Sequence, residues 1–186
     1  PTDDTRVEAT ETAALAITAD TLLTDPAYAG TPSQSRSILD NDSATVTVTA
    51  AGLPAESPLA AGTYTIATTA TLEVALTINF TMSGTAAVAV GGDYNLSGNA
   101  SYNGGTGAGT ATLPVGASPS VIVTLTPVND TVVEATEFAT LTLNAGTQYA
   151  PGAPVAGTVL ITDDDNAIVT VAFAGSPSET GPTAGT

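Results

Sequence analysis

The stretch LEVALTINFTMS, residues 72–83, alternates large apolar side chains with small or polar ones. Its large side chains share one face of an extended chain, as Leu76, Ile78 and Phe80 show. Period two sustained over so many residues is typical of a β-strand with one buried face. The stretch therefore predicts a single strand in an all-β protein.

The same alternation recurs along the chain. It involves four further groups of apolar residues, each interleaved mostly with threonine: Val46 and Val48; Val121, Val123 and Leu125; Leu141 and Leu143; and Val169, Val171 and Phe173. Branched side chains favour the pleated surface of a sheet. With Gly and Pro between these segments, the pattern predicts an immunoglobulin-like antiparallel β-sandwich in tandem repeats. Residues 96–110, rich in Gly, Asn and Ser, predict a long flexible loop.

Two stretches of the chain recur further along it. PTDDTRVEATETAAL at residues 1–15 matches PVNDTVVEATEFATL at residues 127–141 at 10 of 15 positions. ILDNDSATVTVTAAGLPAES, starting at Ile38, matches ITDDDNAIVTVAFAGSPSET, starting at Ile161. Two such matches in register indicate tandem repeats of roughly 123 residues.

The repeats divide the chain into three predicted units: residues 1–43, the C-terminal part of one repeat; residues 44–166, a complete repeat; and residues 167–186, the N-terminal strand region of the next. The partial units lack counterparts of residues 64–126, and a sandwich without its middle strands exposes its core and unpaired edges. We therefore expect a longer natural array, in which adjacent repeats are the partners. Strands supplied by a neighbouring chain, as in a homopolymeric fibre or bundle, are the alternative.

Composition excludes several classes of function. The chain has no Cys, His, Trp or Lys, and Arg6 and Arg36 are its only basic residues. Disulfides, thiolate metal sites and the commonest general base are therefore excluded. A net charge of −16 argues against binding nucleic acid through a basic patch. No apolar run approaches the roughly 20 residues that span a bilayer, so we expect no membrane insertion in this segment.

The 18 acidic residues lie mostly in predicted turns or at predicted strand ends, where the loops of a sandwich converge. Clustered carboxylates repel one another, and their pKa values rise. Calcium removes that cost because it binds about six to eight oxygens from carboxylates, carbonyls and water. The sequence therefore predicts calcium sites, with a solvated acidic rim as the alternative. Paired acids also cleave glycosides, but the chain lacks the Trp that walls a sugar cleft, so we expect no enzyme.

Four motifs follow one another along the complete unit: Gly84-Thr85-Ala86, Gly92-Asp93-Tyr94, Asn129-Asp130 with Glu134 and Glu137, and residues 161–165. Their order and spacing resemble the Calx-beta domain, which is known from sodium–calcium exchangers and many bacterial surface proteins. The resemblance implies a calcium cluster formed, by position, by Glu56, Asp93, Asn129, Asp130, the carbonyl of Val132, Glu134, Asp163, Asp164 and Asp165. The partial units carry the further candidates Asp4, Glu8, Asp40, Asp42 and Glu179.

The sequence departs from the fullest pattern at Asn129 and Thr131, where exchanger domains have acids, and the departure lowers the local negative charge. Glu137 is interpreted as a residue that supports the loop, and Tyr94 as a packing residue.

We therefore expect a structural, calcium-binding repeat of a long extracellular adhesin or surface filament of a bacterium. Calcium would stiffen the junctions between its repeats. The alternative is a secreted module that binds a carbohydrate or a protein through the loop at residues 96–110. A calcium sensor is a third possibility, although the sequence shows no switch element.

Overall fold

The computed structural model of the chain describes residues 2–16, 33–87 and 92–175. Over these ranges it contains β-strands and no helix, so no helix there is long and apolar enough to cross a membrane. In chain order the strands are β1 (Arg6–Val7), β2 (Glu11–Ala16), β3 (Ser33–Ile38), β4 (Ala44–Ala51), β5 (Gly62–Thr68), β6 (Thr71–Leu72), β7 (Leu76–Gly84), β8 (Tyr94–Gly98), β9 (Ala100–Tyr102), β10 (Ala108–Leu113), β11 (Gly116–Ala117), β12 (Ser120–Pro127), β13 (Glu137–Leu143), β14 (Tyr149–Pro151) and β15 (Ala156–Ile161).

Two five-stranded sheets form the body of the protein. One has the order β15-β13-β7-β10-β9 and the other β14-β4-β5-β12-β8, and every pairing is antiparallel except that of β14 with β4. The sheets face each other, and two tyrosine hydroxyls cross between them. Tyr64 donates to the Ala139 carbonyl at 2.9 Å, and Tyr149 accepts the Asn79 N–H at 2.7 Å. The predicted all-β antiparallel sandwich is confirmed.

The core is built from the alternating residues that the sequence pattern singled out. Val46 and Val48 in β4 and Val123 in β12 are fully buried, whereas Ile122 between the β12 core residues is 52% exposed. Alternation works here because successive side chains of a strand point to opposite faces of the sheet. The prediction from period two is confirmed for β4, β7, β12 and β13.

Residues 72–83 do not form the single strand that was predicted. Leu72 ends the short strand β6, the chain bends at residues 73–75, and β7 begins at Leu76. The reason is that the two parts have different partners. β6 pairs with β1 and β11 in a small sheet at one end of the sandwich, whereas β7 pairs with β10 and β13 in the main sheet.

The predicted flexible loop at residues 96–110 is also wrong. Most of this segment lies in strands β8, β9 and the start of β10, with one tight turn between β9 and β10. In that turn the Asn103 side chain accepts the Gly105 N–H at 2.9 Å, and the Gly107 N–H donates to the Asn103 carbonyl at 2.8 Å. The Gly and Asn residues therefore serve turn geometry and close strand contacts. This removes the loop on which the alternative binding function rested.

Residues 163–175 form no paired strand, contrary to the prediction for Val169, Val171 and Phe173, which are 83–94% exposed. Their counterparts Val46 and Val48 are buried because β4 pairs with both β5 and β14. No equivalent partner strands for residues 167–175 lie among the residues that the structure describes. The division of the chain into repeat units stays a prediction.

The segment before residue 44 forms a hairpin, β2–β3, and the small strand β1. Glu11 pairs with Ile38 in this hairpin, and Glu137 pairs with Ile161 in the hairpin β13–β15. These are the positions that the sequence repeat matches to each other, so the two hairpins have the same register. β1 pairs in parallel with β6, and Val7 is fully buried in the core of the complete unit.

Candidate metal site

Four segments of the complete unit bring acidic side chains to one end of the sandwich, which we call the acidic pole. It comprises Glu56, Asp93, Asp130, Glu134, Glu137, Asp163 and Asp165. Strand register explains why they meet. β13 begins at Glu137 opposite the end of β15 at Ile161, and β8 begins at Tyr94 opposite the end of β12 at Pro127. A bridge between Ala55 and Thr162 brings the turn after β4 to the same end.

One group of carboxylates consists of Glu56, Asp163 and Asp165, with one oxygen of each within 4.8 Å of the others. The Glu56 N–H donates to the Thr162 carbonyl at 3.1 Å, which holds the turn after β4 against the end of β15. Glu56 is only 3% exposed. Its Oε2 atom and the Oδ2 atom of Asp165 are buried and have no hydrogen-bond partner among the described residues.

Burial raises the pKa of Glu56, and the charges of Asp163 and Asp130 raise it further, although the Asp130 N–H opposes the rise. Burial also raises the pKa of Asp165, with Asp163 as the next contributor. These carboxylates are therefore costly to ionise in this setting. A cation bound among them would remove that cost.

A second group consists of Asp93, Glu134 and Glu137, again with one oxygen of each within 4.8 Å of the others. Burial, with a hydrogen bond and the charge of Asp93 next in order, raises the pKa of Glu137 to about 7. Burial raises the pKa of Glu134 as well, with Asp93 and Asp130 adding to the rise. Tyr94, buried as predicted, fixes the chain next to Asp93.

Local hydrogen bonds shape the loops that carry these acids. Asp163 accepts two N–H groups, from Glu134 at 2.9 Å and from Asp165 at 3.1 Å, so it ties the β12–β13 loop to the segment after β15. Asp130 accepts the Val132 N–H at 2.6 Å within the same β12–β13 loop. Each of these aspartates keeps carboxylate lone pairs for a further partner, since an ionised carboxylate has about four acceptor sites.

The Gly84-Thr85-Ala86 motif supports the second group. Gly84 has φ +146°, and a Cβ placed on it would lie 1.9 Å from the Phe138 carbonyl oxygen, so only glycine fits. The Thr85 hydroxyl accepts the Phe138 N–H at 3.0 Å. The motif thus holds the chain beside the start of β13, where Glu137 lies. One residue further on, the Ala87 N–H donates to the Asp93 carboxylate.

The structure brings together five of the nine ligands predicted in the complete unit. Glu56, Asp93, Glu134, Asp163 and Asp165 belong to the two groups. The other predicted acids, Asp130 and Asp164, are exposed and belong to neither group of carboxylates. Asn129 and Val132, which would contribute an amide oxygen and a backbone carbonyl, are exposed as well. Asp130 nevertheless lies close enough to act electrostatically on Glu56 and Glu134.

Glu137 is the residue whose part the sequence interpretation underestimated. It was interpreted as a support for the loop, but the structure places it among potential ligands. The available signal was its position as the last acid before an alternating apolar segment. A residue at that position sits at a strand end, where loops converge.

The first unit carries a matching acidic loop at residues 2–10 and 39–43, which contains Asp4, Glu8, Asp40 and Asp42. Asp40 accepts the N–H of Glu8 at 3.0 Å and that of Asp42 at 3.1 Å, as Asp163 does for their counterparts. Burial raises the pKa of Glu8 and of Asp42. No trio of carboxylate oxygens within 4.8 Å of one another forms among the described residues of this loop. Glu179 lies outside the described residues.

No protein-family model and no curated protein sequence matches the chain. Among solved structures, the crystal structure of the apo form of the Calx CBD1 domain is similar, with 15% sequence identity and a TM-score of 0.47 over 65% of this chain and 99% of that one. The crystal structure of CBD12 from CALX1.2 has 16% identity and a TM-score of 0.46 over 65% of this chain. The chain spans 44% of the length of that second structure.

Proposed function

We propose that this chain is a structural, non-enzymatic segment of a long extracellular adhesin or surface filament, built from calcium-binding β-sandwich repeats. Calcium at the acidic pole of each repeat stiffens the junction with the next one. The residues that would hold it are Glu56, Asp93, Glu134, Glu137, Asp163 and Asp165.

The buried Glu56 carboxylate is the observation that carries this proposal. A solvated acidic rim would place its carboxylates in water, where their charges are screened. Glu56 instead is 3% exposed, its Oε2 lacks a hydrogen bond among the described residues, and two further carboxylates lie beside it. A buried polar atom without a partner costs free energy unless something binds it. A cation that prefers oxygen ligands would bind the three carboxylates of Glu56, Asp163 and Asp165 at once.

Calcium fits this donor set better than a transition metal does. The two groups offer only carboxylate oxygens, and the chain has neither His nor Cys. Hard cations bind such oxygens, and calcium accepts the irregular geometry of flexible loops more readily than magnesium does. Asn129 and Thr131 reduce the local charge, which favours an affinity in the roughly 10⁻⁴ to 10⁻³ M range of extracellular calcium modules.

The position of the acidic pole supports a role at the junction. Asp163 and Asp165 follow β15 directly and precede residues 167–175, the start of the next predicted repeat. A cation that joins them to Glu56 would therefore tie the connecting segment to the body of the sandwich. Holding the connecting segment in place narrows the range of angles between two neighbouring repeats.

Calcium titration by calorimetry tests the binding site, with Glu56→Gln as the variant and Asp164→Asn as its matched control. Both substitutions remove one charge, but Asp164 is exposed and outside both groups. E56Q should weaken calcium binding at least about tenfold, a loss typical even of residues that only orient a ligand. D164N should weaken it about twofold at most, through charge alone. Equal losses of calcium affinity in the two variants would favour the alternative, a solvated acidic rim without a specific calcium site.

Stability measured without calcium provides an independent check. Because burial raises the pKa of Glu56, its ionised form destabilises the calcium-free fold at neutral pH. E56Q should therefore raise the melting temperature in chelator while lowering it in calcium. D164N should do neither.

Small-angle scattering tests the stiffening of the junction. The sample is the chain with residues 44–166 duplicated in tandem, so that one junction connects two complete units. Chelation should broaden the distribution of distances between the two units, because the junction then adopts more angles, and calcium should narrow it again. Profiles that are the same with calcium and with chelator would refute the stiffening role, even if calcium binds.

A further inference from the structure

Val7 and Val133 occupy matching positions in the two acidic loops, but their environments differ. The sequences around them read TRVEATE at residues 5–11 and TVVEATE at residues 131–137. Val7 is fully buried, whereas Val133 is 52% exposed. The loops themselves are alike, because in each an aspartate accepts the N–H of the glutamate that follows the valine. Asp40 accepts that of Glu8 at 3.0 Å, and Asp163 accepts that of Glu134 at 2.9 Å. The difference must therefore come from what lies opposite each loop.

Val7 is buried against the end of the complete unit that lies opposite the acidic pole. We call this end the docking pole and define it by Leu72, Glu73 and Gln148. Val7 pairs in parallel with Leu72, which is 1% exposed, and its carbonyl accepts the Glu73 N–H at 2.9 Å. The Gln148 side chain donates to the Glu8 carbonyl at 2.9 Å. Backbone and side chain of the first acidic loop thus both dock on the unit that follows it.

The docking is specific in direction. The valine belongs to the unit that comes first in the chain, and the docking pole belongs to the complete unit after it. The complete unit also has the valine, Val133, at its other end. The complete unit therefore has an exposed valine, Val133, at its acidic pole, which we call the plug, and a surface that buries such a valine at its docking pole. These are the two halves of a head-to-tail contact.

We propose that Val133 inserts into the docking pole of a second copy of the 44–166 unit, in the way that Val7 inserts into the docking pole seen in this structure. The inference rests on the repeat array of the proposed function, but it does not depend on calcium. It assigns the contact between repeats to a valine plug and a short parallel strand pair, formed by residues 132–133 of one copy and residues 71–72 of the next.

Physical chemistry favours this occupant. Docking removes the exposed half of the Val133 side chain from water, which is favourable in proportion to the apolar area buried. It also pairs backbone groups of residues 132 and 133, in the way that β1 pairs with β6. The neighbouring Val132 corresponds to Arg6, whose side chain is exposed and contacts Glu73. Only one of the two adjacent valines is therefore expected to be buried at the junction.

The test uses the chain with residues 44–166 duplicated in tandem and with the second copy labelled for NMR by segmental ligation. Calcium is present throughout. The readout is hydrogen exchange of the Glu73 amide in the second copy, the group that would donate to the Val133 carbonyl. In the unmodified tandem chain this amide should exchange as slowly as that of Glu73 in the first copy, where Val7 is docked.

Val133→Asn in the first copy should speed that exchange by about tenfold or more, because a buried amide without hydrogen-bond partners is costly. Val132→Asn is the matched control: it adds no charge beside Glu73 and, like Arg6, should stay exposed, so the exchange should be unchanged. In the unduplicated chain V133N should keep the melting temperature, since Val133 is half exposed there and the charge of the acidic pole does not change. That result shows that the variant folds.

Fast exchange of the second Glu73 amide in the unmodified tandem chain would overturn the proposal, and so would equal effects of V132N and V133N. Neither outcome bears on calcium binding, which the calorimetric titration of E56Q measures separately. Failure of the plug and failure of the calcium site are therefore distinguishable.

Discussion

The two acidic loops of this protein have almost the same sequence and the same local hydrogen bonds, but they differ in what surrounds them. Asp40 and Asp163 each accept two N–H groups at closely matching distances. Among the described residues, only the second loop contributes to groups of three carboxylates, because Glu56 and Asp93 reach it from other parts of the sandwich. Within the same described ranges, only the first loop has its valine buried. Loop conformation is thus a local property, whereas a ligand set and a docked plug require distant residues.

This difference explains why an acidic motif is a weak indicator of a metal site on its own. The DxD pattern of residues 40–42 and of residues 163–165 orients each loop through its own backbone N–H groups. The capacity to hold a cation arises when a buried carboxylate is added from another strand, as Glu56 is. Substitutions at three further positions, Gly84, Glu137 and Arg6, test this difference between the two loops.

The largest effect is expected from Gly84→Ala, which removes the support that the second loop receives from β7. The added Cβ would lie 1.9 Å from the Phe138 carbonyl oxygen at a φ of +146°, so the pairing of β7 with β13 must shift. We expect the free energy of unfolding to fall by about 3 kcal/mol and calcium binding to weaken. Chemical denaturation measures the first effect, and calorimetry the second.

Gly116→Ala is the matched control for this variant. Gly116 has a similar φ of +141°, but a Cβ there meets nothing within 4 Å. Gly116→Ala should lower the free energy of unfolding by about 1 kcal/mol, through backbone strain alone. Equal losses for the two variants would show that the contact of Gly84 with β13 is not what supports the loop.

An intermediate effect is expected from pH in the absence of calcium. Glu137 has a folded-state pKa of about 7 against an ordinary value of 4.5, so the folded state binds more protons between these pH values. Stability is then greatest below the ordinary pKa and is lost as the pH rises through 7. The calcium-free melting temperature should therefore be higher at pH 5 than at pH 8, and calcium affinity should show the opposite trend.

Glu137→Gln should reduce this pH dependence in the calcium-free protein. Glu11→Gln, at the matching position of the first loop, should reduce it much less, because no counterpart of Asp93 faces Glu11 among the described residues. Thermal melts over pH 5–8 separate the two variants. If E11Q reduced the pH dependence of the melting temperature as much as E137Q does, the two loops would be electrostatically equivalent.

The smallest effect is expected from Arg6→Ala at the docking pole. The Arg6 guanidinium contacts the Glu73 carboxylate, and both side chains are substantially exposed. Ion pairs of this kind contribute little because water and salt screen them. The melting temperature should stay within about 1 °C of the unmodified value. A large loss would mean that charge, rather than the buried Val7, holds the first loop in place.

Much of the fold could be predicted because alternation is a local pattern. The buried residues of β4, β12 and β13 follow directly from period two, and the predicted sandwich is confirmed. The errors occur where pairing partners decide the outcome. Residues 72–83 split into β6 and β7 because their partners lie in different sheets. Residues 96–110 form strands because β12 and β7 provide edges for them. Residues 169–173 stay unpaired because no partner strands lie among the described residues.

For the site, the order of residues is enough to show which carboxylates are available and that loops at strand ends carry them. It also determined the repeat that matches Val7 to Val133. Three features follow from the folded arrangement of distant residues: Glu56 is buried beside Asp163 and Asp165, Glu137 joins Asp93, and one valine is docked while the other is exposed. The physical reason is the separation along the chain over which each effect acts. Alternation and turn chemistry act over a few residues, whereas desolvation and carboxylate repulsion depend on groups that strand register brings together from opposite ends of the chain.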